Sequence, residues 1–463
     1  MPVPSIRRLS FRAPWVIFWV GFGLRMACIL IGQTYRIHSL HDHFEYGFEA
    51  GRIARSLVEG HGYSSPFNGP SGPTAWLPPL YPLLMALGFK LFGLYTDAAV
   101  IFIMACNSAF SAAIAPAVYE IGARCFDAYG ITRRASTKAA PVGLWSAWLW
   151  AVYPAALQFA IHWLWEMSLT ACLFAWAFVF ALRLRRIGEP PEAGSDSRHD
   201  FRLWAVFGLL WGLIALSNAS LLLCFPAWTF WILWKDRKQQ TGNSKQPLGH
   251  ASRTFSQSVT GAVLACAVFA FTLAPWVVRN EHTLHAFILT RDNFGVELYK
   301  SVEPGNGSLP WGTAMPLWPG DAEFQRYVQM GEVAYGHAKG EEAGALIREY
   351  PGEFVSRIRD RFIFFLDGTP HSPEEHPVLE YLRLLSYSFL NVCGLLGLAV
   401  ALKRRVPGAW LMALAFLLVP LPYYFVTMQA RFRHPLEPLI AVLAVYLFRS
   451  TQPRADLQAR TAR

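Results

Sequence analysis

Apolar residues in this chain come in unbroken blocks of membrane-spanning length, and that property removes most of the folds open to 463 residues. A transmembrane helix needs about 20 consecutive apolar residues. Blocks of that size fall near 14–33, 97–121, 139–158, 166–184, 257–278, 382–402, 407–427 and 434–449. A longer stretch, 203–234, carries Ser217-Asn218-Ala219-Ser220 midway and has Arg202 and Lys235 at its ends. Basic residues at both ends put those ends on one side of the membrane and make the stretch a two-span hairpin. The pattern predicts an all-α polytopic membrane protein with about ten transmembrane helices. A composition of 54% hydrophobic and 16% charged residues points the same way.

The net charge of +10 does not gather into one patch. It recurs as Arg7, Arg8 and Arg12; Arg124, Arg133, Arg134 and Lys138; Arg183, Arg185 and Arg186; Lys235, Arg237 and Lys238; and Lys403, Arg404 and Arg405, all on one side of the predicted spans. This is the positive-inside pattern, so a nucleic-acid partner is not expected and both termini are expected in the cytoplasm of a multi-pass inner-membrane protein. The first apolar run contains Arg25 and has no small-residue cleavage site after it, so it reads as an uncleaved first span. The seven cysteines lie within or beside apolar blocks, and no disulfide framework is implied.

On this topology the chain divides into an N-terminal transmembrane module, 1–278, which includes a first outer loop at 34–96; an outer cap, 279–380; and C-terminal helices with a tail, 381–463. The first loop predicts a juxtamembrane helix within 45–59 and a second, interfacial helix over 79–92. The cap reads as a small mixed unit with helical stretches near 324–350 and 351–366.

Chemistry-bearing residues concentrate on the outer side. Asp42, Glu45 and Glu49 stand at the mouth of the first span, interleaved with Phe44, Tyr46 and Phe48 and followed by Arg52. On a helix Glu45 and Glu49 share a face, their repulsion raises one pKa, and Arg52 keeps the neighbour ionised. A solvated helix face is the plainer alternative. Glu166 ends Trp163-Leu164-Trp165-Glu166 at the mouth of the fourth span, where it acts chemically or simply anchors the helix. Arg279, Arg291, Arg431 and Arg433 run against the positive-inside trend, which suits a grip on phosphate or, alternatively, on anionic headgroups. His371-Ser-Pro-Glu-Glu-His376 carries proline where a zinc motif needs helix, so no metal is expected. Asn306-Gly-Ser fits a glycosylation acceptor, a frequent chance match.

One carboxylate base with outward arginines fits glycosyl transfer from a lipid-linked phosphate. The leaving phosphate needs charge stabilisation and no second acid, whereas a glycosidase generally needs two carboxyl groups.

The stretch Tyr46 to Tyr63 with Pro73-Thr-Ala-Trp-Leu-Pro-Pro-Leu-Tyr-Pro82 resembles the first outer loop of bacterial GT-C glycosyltransferases related to protein O-mannosyltransferases and aminoarabinose transferases. Ala274 to Asn280, Arg291 to Leu298 and Arg431 to Pro435 are similar to later landmarks of that family. The resemblance implies a polyprenyl-phosphate-sugar donor, inversion at the non-cytoplasmic face, no cofactor, and a lipid, glycan or protein hydroxyl as acceptor. It also implies a first-loop base, with Glu49 ahead of Glu45 and Asp42, and a role for Glu166 in orienting acceptor or base. Arg431 and Arg433 would hold the donor phosphate, with Arg291 and Arg279 beside them. The family often carries an adjacent Asp-Glu pair in this loop; here the acids are spread out. A flippase of lipid-linked sugars, or an O-antigen-type polymerase or ligase, is the alternative reading.

Overall fold

The computed structural model describes residues 6–37, 46–127, 141–189, 197–242, 248–305, 308, 315–368 and 377–450. Asp42, Glu45, the Asn306 motif and the His371–His376 run lie outside the described residues. In chain order the helices are α1 (Ile6–Ile31), α2 (Glu49–Val58), α3 (Leu80–Phe92), α4 (Asp97–Gly122), α5 (Val142–Val152), α6 (Pro154–Ile161), α7 (Met167–Leu184), α8 (Ser197–Ala215) and α9 (Cys224–Gly242). They continue as α10 (Leu248–Leu284), α11 (Phe294–Val302), α12 (Ala322–Met330), α13 (Glu332–Glu349), α14 (Pro351–Asp367), α15 (Pro377–Lys403), α16 (Ala409–Leu418), α17 (Leu421–Phe425) and α18 (Glu437–Ser450). No strand occurs among the described residues, apart from an isolated bridge between Ser64 and Pro73. The described part of the cap holds α11 to α14 joined by turns and irregular segments, with no strand among the described residues.

This is a multi-pass helical membrane protein. Windows in α1, α4, α7, α10 and α15 are each long and apolar enough to cross a bilayer, and α5 with α6 makes one span bent by 45°. The bend falls at Tyr153-Pro154, where proline supplies no N–H to continue the ladder. Of the remaining predicted spans, α8 and α9 join through the turn at Ser217-Asn218 as the expected hairpin, α16 and α17 break at Pro420, and α18 is a helix of 14 residues. In the hairpin turn the Asn218 side chain accepts from the Ser220 N–H at 3.1 Å, a capping bond that starts the next helical turn.

Within the bundle α4 packs on α1, α5 and α7, α8 on α10, and α15 on α18. Arg25, fully buried in α1, donates to Ser111 Oγ at 3.1 Å and to the carbonyls of Gly21 and Ala151 at 2.9 and 3.1 Å. Ala151 lies at the end of α5, where helix termination leaves carbonyls without intrahelical donors. A charge in the bundle is tolerable when it meets such acceptors.

Three ties fix the first outer loop over the bundle mouth. Arg279 donates to the carbonyls of Thr74 and Tyr63, both at 2.6 Å. The buried Glu332 carboxylate at the start of α13 accepts from Thr74 Oγ1, from the Ala75 N–H at 2.5 Å and from Tyr327 OH at 2.7 Å. The Leu80 N–H donates to the Leu216 carbonyl at 2.9 Å, joining the start of α3 to the α8–α9 turn.

Candidate active site

Glu49 opens α2, and the residue before it does not continue the helix: Phe48 has φ 53° and ψ −128°, within a turn at 46–48. The four-residue helical register expected between Glu45 and Glu49 is therefore broken at Phe48. Gly47, at φ 88°, makes this turn possible. A Cβ there would also lie 2.8 Å from the Leu164 carbonyl. Glycine satisfies both demands, the left-handed backbone and the close approach, and so the start of α2 comes up against the 162–166 segment. Arg52 turns the other way, fully buried with Nη1 3.5 Å from the Pro66 carbonyl. It does not form the expected pair with Glu49, because three residues on from Glu49 it sits on the buried face of α2.

Glu166 sits immediately before α7 and makes no capping bond to the helix. Among the described residues neither Glu49 nor Glu166 pairs with another side chain; the Glu166 carboxylate is met by its own backbone N–H. Burial lifts the Glu166 pKa above the usual carboxylate range, Arg431 and Arg291 pull it back, and Glu49 adds to the rise. That coupling places Glu49 and Glu166 in one electrostatic neighbourhood with both arginines.

Arg431 reaches this neighbourhood from a turn of 3-10 helix, Ala430–Leu436. Its guanidinium carbon lies 4.0 Å from the centre of the Trp165 ring and 5.3 Å from that of Phe432. Among the described residues it has no hydrogen-bond acceptor or ion-pair partner, and its Nε is buried without one. Burial pushes its pKa down, opposed chiefly by the charges of Glu166, Glu49 and Glu297. Arg291 donates Nε–H to Asn293 Oδ1 at 2.5 Å and leaves the rest of its fork available. Glu297, on α11, accepts from Thr427 Oγ1 at 2.8 Å and pairs with Lys300 at 3.4 Å. Burial would raise its pKa, but Lys300, Arg291 and the Thr427 bond outweigh it, and the group is held ionised. The Tyr423 hydroxyl, 3.3 Å from Asn218 Nδ2, borders the same space, with its ring stacked on Phe432 at 4.3 Å.

The four expected phosphate-binding arginines divide into two pairs. Arg431 and Arg291 both act electrostatically on Glu166, and Arg431 is also in the field of Glu49. Arg433 does not: it is fully buried, donates to the carbonyls of Leu366 and Tyr387 at 3.2 Å each, packs 3.0 Å from the Tyr387 ring centre and meets Glu437 at 3.5 Å. Two residues on in a tight turn, its guanidinium is taken by backbone carbonyls and Glu437, while that of Arg431 lies on the Trp165 ring. Arg279 has its Nη groups on the Thr74 and Tyr63 carbonyls and is a tie for the first loop. Trp165, Glu297, Tyr423 and Asn218 were not singled out as site residues from sequence. Glu297 lies inside the Arg291–Leu298 landmark and Asn218 in the hairpin turn, but only the fold brings them to the acids.

With this geometry in hand, the chain can be compared with known proteins. No protein-family model matches it, and no curated protein is significantly similar in sequence. Among solved structures, the archaeal oligosaccharyltransferase AglB from Archaeoglobus fulgidus, in complex with an inhibitory peptide and a dolichol-phosphate, superposes with a TM-score of 0.50 and 13% identity over 94% of this chain and 50% of its own. The same enzyme tethered with an acceptor peptide containing the NVT sequon gives 0.51 at 13% identity over 94% and 49%. The likeness is one of fold: this chain folds as that oligosaccharyltransferase does over the matched part. The chain spans about half the length of the oligosaccharyltransferase it matches. ArnT from Cupriavidus metallidurans, bound to undecaprenyl phosphate, matches with a TM-score of 0.37 and 14% identity over 94% of this chain and 78% of its own.

Proposed function

We propose that this protein transfers a sugar from a polyprenyl-phosphate donor to a hydroxyl of a lipid, glycan or protein acceptor, at the non-cytoplasmic face of the membrane and with inversion. The observation that supports the reading is one electrostatic neighbourhood around Glu166 that includes Glu49, Arg431 and Arg291, in which neither acid has an ion-pair partner among the described residues and the arginine N–H groups are largely unengaged. An acceptor oxygen attacks the anomeric carbon as the bond from that carbon to the phosphate oxygen breaks. The hydroxyl proton passes to Glu49, and the polyprenyl phosphate departs with one added negative charge. Arg431 and Arg291 meet that charge, so the leaving group needs no proton. A single displacement of this kind inverts the anomeric centre. Glu166, made easier to protonate by burial, orients the acceptor beside Glu49.

The distribution of charge along α7 supports the non-cytoplasmic side. Glu166 lies at its N-terminal end; Arg183, paired with Glu120 at 2.6 Å, lies at its C-terminal end among the basic residues assigned to the cytoplasm. Eighteen residues of helix separate them by about 27 Å, nearly a bilayer core.

Transfer from a radiolabelled polyprenyl-phosphate sugar in detergent is the test. Full activity in Glu49→Gln, Glu45→Gln and Asp42→Asn at normal expression removes the first-loop base. Movement of a lipid-linked sugar across liposomes with no bond broken replaces the reading with a flippase. Mass spectrometry of envelope lipids and proteins from a deletion strain identifies sugar and acceptor.

A further inference from the structure

Trp165 touches Arg431 and Phe48, and so borders both the guanidinium and the start of the helix that carries Glu49. Glu166 follows Trp165 in the chain. Its ring stacks on Trp163 with centroids 4.4 Å apart and planes 12° from parallel. Phe48, which precedes Glu49, packs on it at 5.3 Å with planes tilted by 41°. The Arg431 guanidinium sits at 4.0 Å from its centre.

The way Arg431 is held differs from that of four other arginines near the outer face. Arg279, Arg357, Arg361 and Arg433 each donate to backbone carbonyls, although Nε of Arg361 and Nε and Nη2 of Arg433 have no hydrogen-bond partner. Arg431 has no such acceptor among the described residues, yet two carboxylates share its electrostatic neighbourhood. A guanidinium free to choose would pair with one of them, since a charge-assisted fork is the strongest contact it can make. A contact through the face of the cation leaves its N–H edge open. The indole thus satisfies the cation from one side while keeping its donors and the acids apart.

We infer that Trp165 is a positioning residue for the donor phosphate: it seats the Arg431 guanidinium face-on, with its N–H edge presented to the lipid phosphate and away from Glu49 and Glu166. The inference rests on the reading of the site given above. Without the indole, Arg431 collapses onto an acid. The phosphate then loses its fork, and the acids lose the arrangement that leaves Glu49 free to take a proton. Phenylalanine, with a weaker but real π face, holds part of the seat; leucine fills space and holds none.

The test is binding of undecaprenyl phosphate to the detergent-solubilised full chain, followed by thermal shift and by calorimetry, in wild type, Trp165→Phe, Trp165→Leu, Arg431→Ala and the Trp165→Leu/Arg431→Ala double variant. The expected result is affinity reduced about tenfold in Trp165→Leu and less in Trp165→Phe, with no further loss from Trp165→Leu once Arg431 is alanine. Independent losses that multiply in the double variant, or wild-type affinity in Trp165→Leu, overturn the inference and leave the proposed function standing. Absence of binding by the wild type overturns both. A role confined to folding lowers the melting temperature of both Trp165 variants without the dependence on Arg431, and that pattern also counts against the seat.

Discussion

Arg431 and Arg433 stand two residues apart and should respond in opposite ways to the same substitution, methionine. Arg431 has no acceptor among the described residues, so removing it forfeits only the ring contact, worth about 0.5–2 kcal/mol, and relieves the cost of holding a largely desolvated cation. The two effects nearly cancel, and stability should change by no more than about 1 kcal/mol. Function should not be spared. A bidentate grip on phosphate consists of two charge-assisted bonds at about 1.5–3 kcal/mol each, so transfer should fall by about two to four orders of magnitude. For Arg433 the reckoning reverses. Its partner Glu437 is fully buried, and breaking a buried pair by removing one member costs about 3–5 kcal/mol because the other charge is left behind. His434 Nδ1, 2.6 Å from Glu437, stays beside the carboxylate in the variant. Denaturant unfolding of the detergent-solubilised variants, run beside the radiolabelled transfer assay, measures both quantities. If Arg431→Met unfolds as readily as Arg433→Met, or if it retains transfer at normal stability, the division of these arginines into an open one and a structural one is refuted.

Glu49→Gln should preserve the fold and lower transfer by about 10²- to 10⁴-fold, the span expected for loss of a general base, while Glu166→Gln should reduce it less and shift the acidic limb of the pH–rate profile; a stopped assay across pH 5–9 reads both. Arg279→Met should free the first loop from α10, seen as faster proteolysis between residues 63 and 75, since both of its carbonyl partners lie there. Glu332 should impose a pH dependence on stability. Burial raises its pKa to about 7, its Thr74, Tyr327 and Ala75 bonds notwithstanding, and Asp292 nearby is raised to about 6 by burial, partly offset by His337. A carboxyl whose folded pKa exceeds its unfolded value favours the fold fully below the unfolded pKa and loses that contribution as pH rises through the folded one. The melting temperature should therefore decline between about pH 5 and pH 7.5, by up to about 3 kcal/mol of stability from Glu332, and flatten in Glu332→Gln. Arg279 opposes the trend electrostatically, and a rising melting temperature over that interval would contradict the sign.

Much of the architecture could be read before any coordinates, because bilayer thickness imposes a length that sequence reports directly. The apolar blocks, the hairpin turn at Ser217-Asn218 and the helix after Pro79 all reappear as helices or breaks. Glu49, Glu166, Arg291 and Arg431 could be named because charge at the mouth of a span is costly and therefore noticeable. Sequence could not say which arginines are open to a ligand. Arg431 and Arg433 are the same residue type in one motif, and only the 3-10 turn that lays one on Trp165 and the other against Tyr387 and Glu437 separates them. Nor could helical spacing foresee the left-handed backbone at Gly47 and Phe48, which breaks the register with Glu45 and seats Glu49 beside residues more than a hundred positions later. Local periodicity and bilayer length belong to the chain itself; the direction of a side chain and the partner that takes its donors are set by distant segments, and those meet only in the folded bundle.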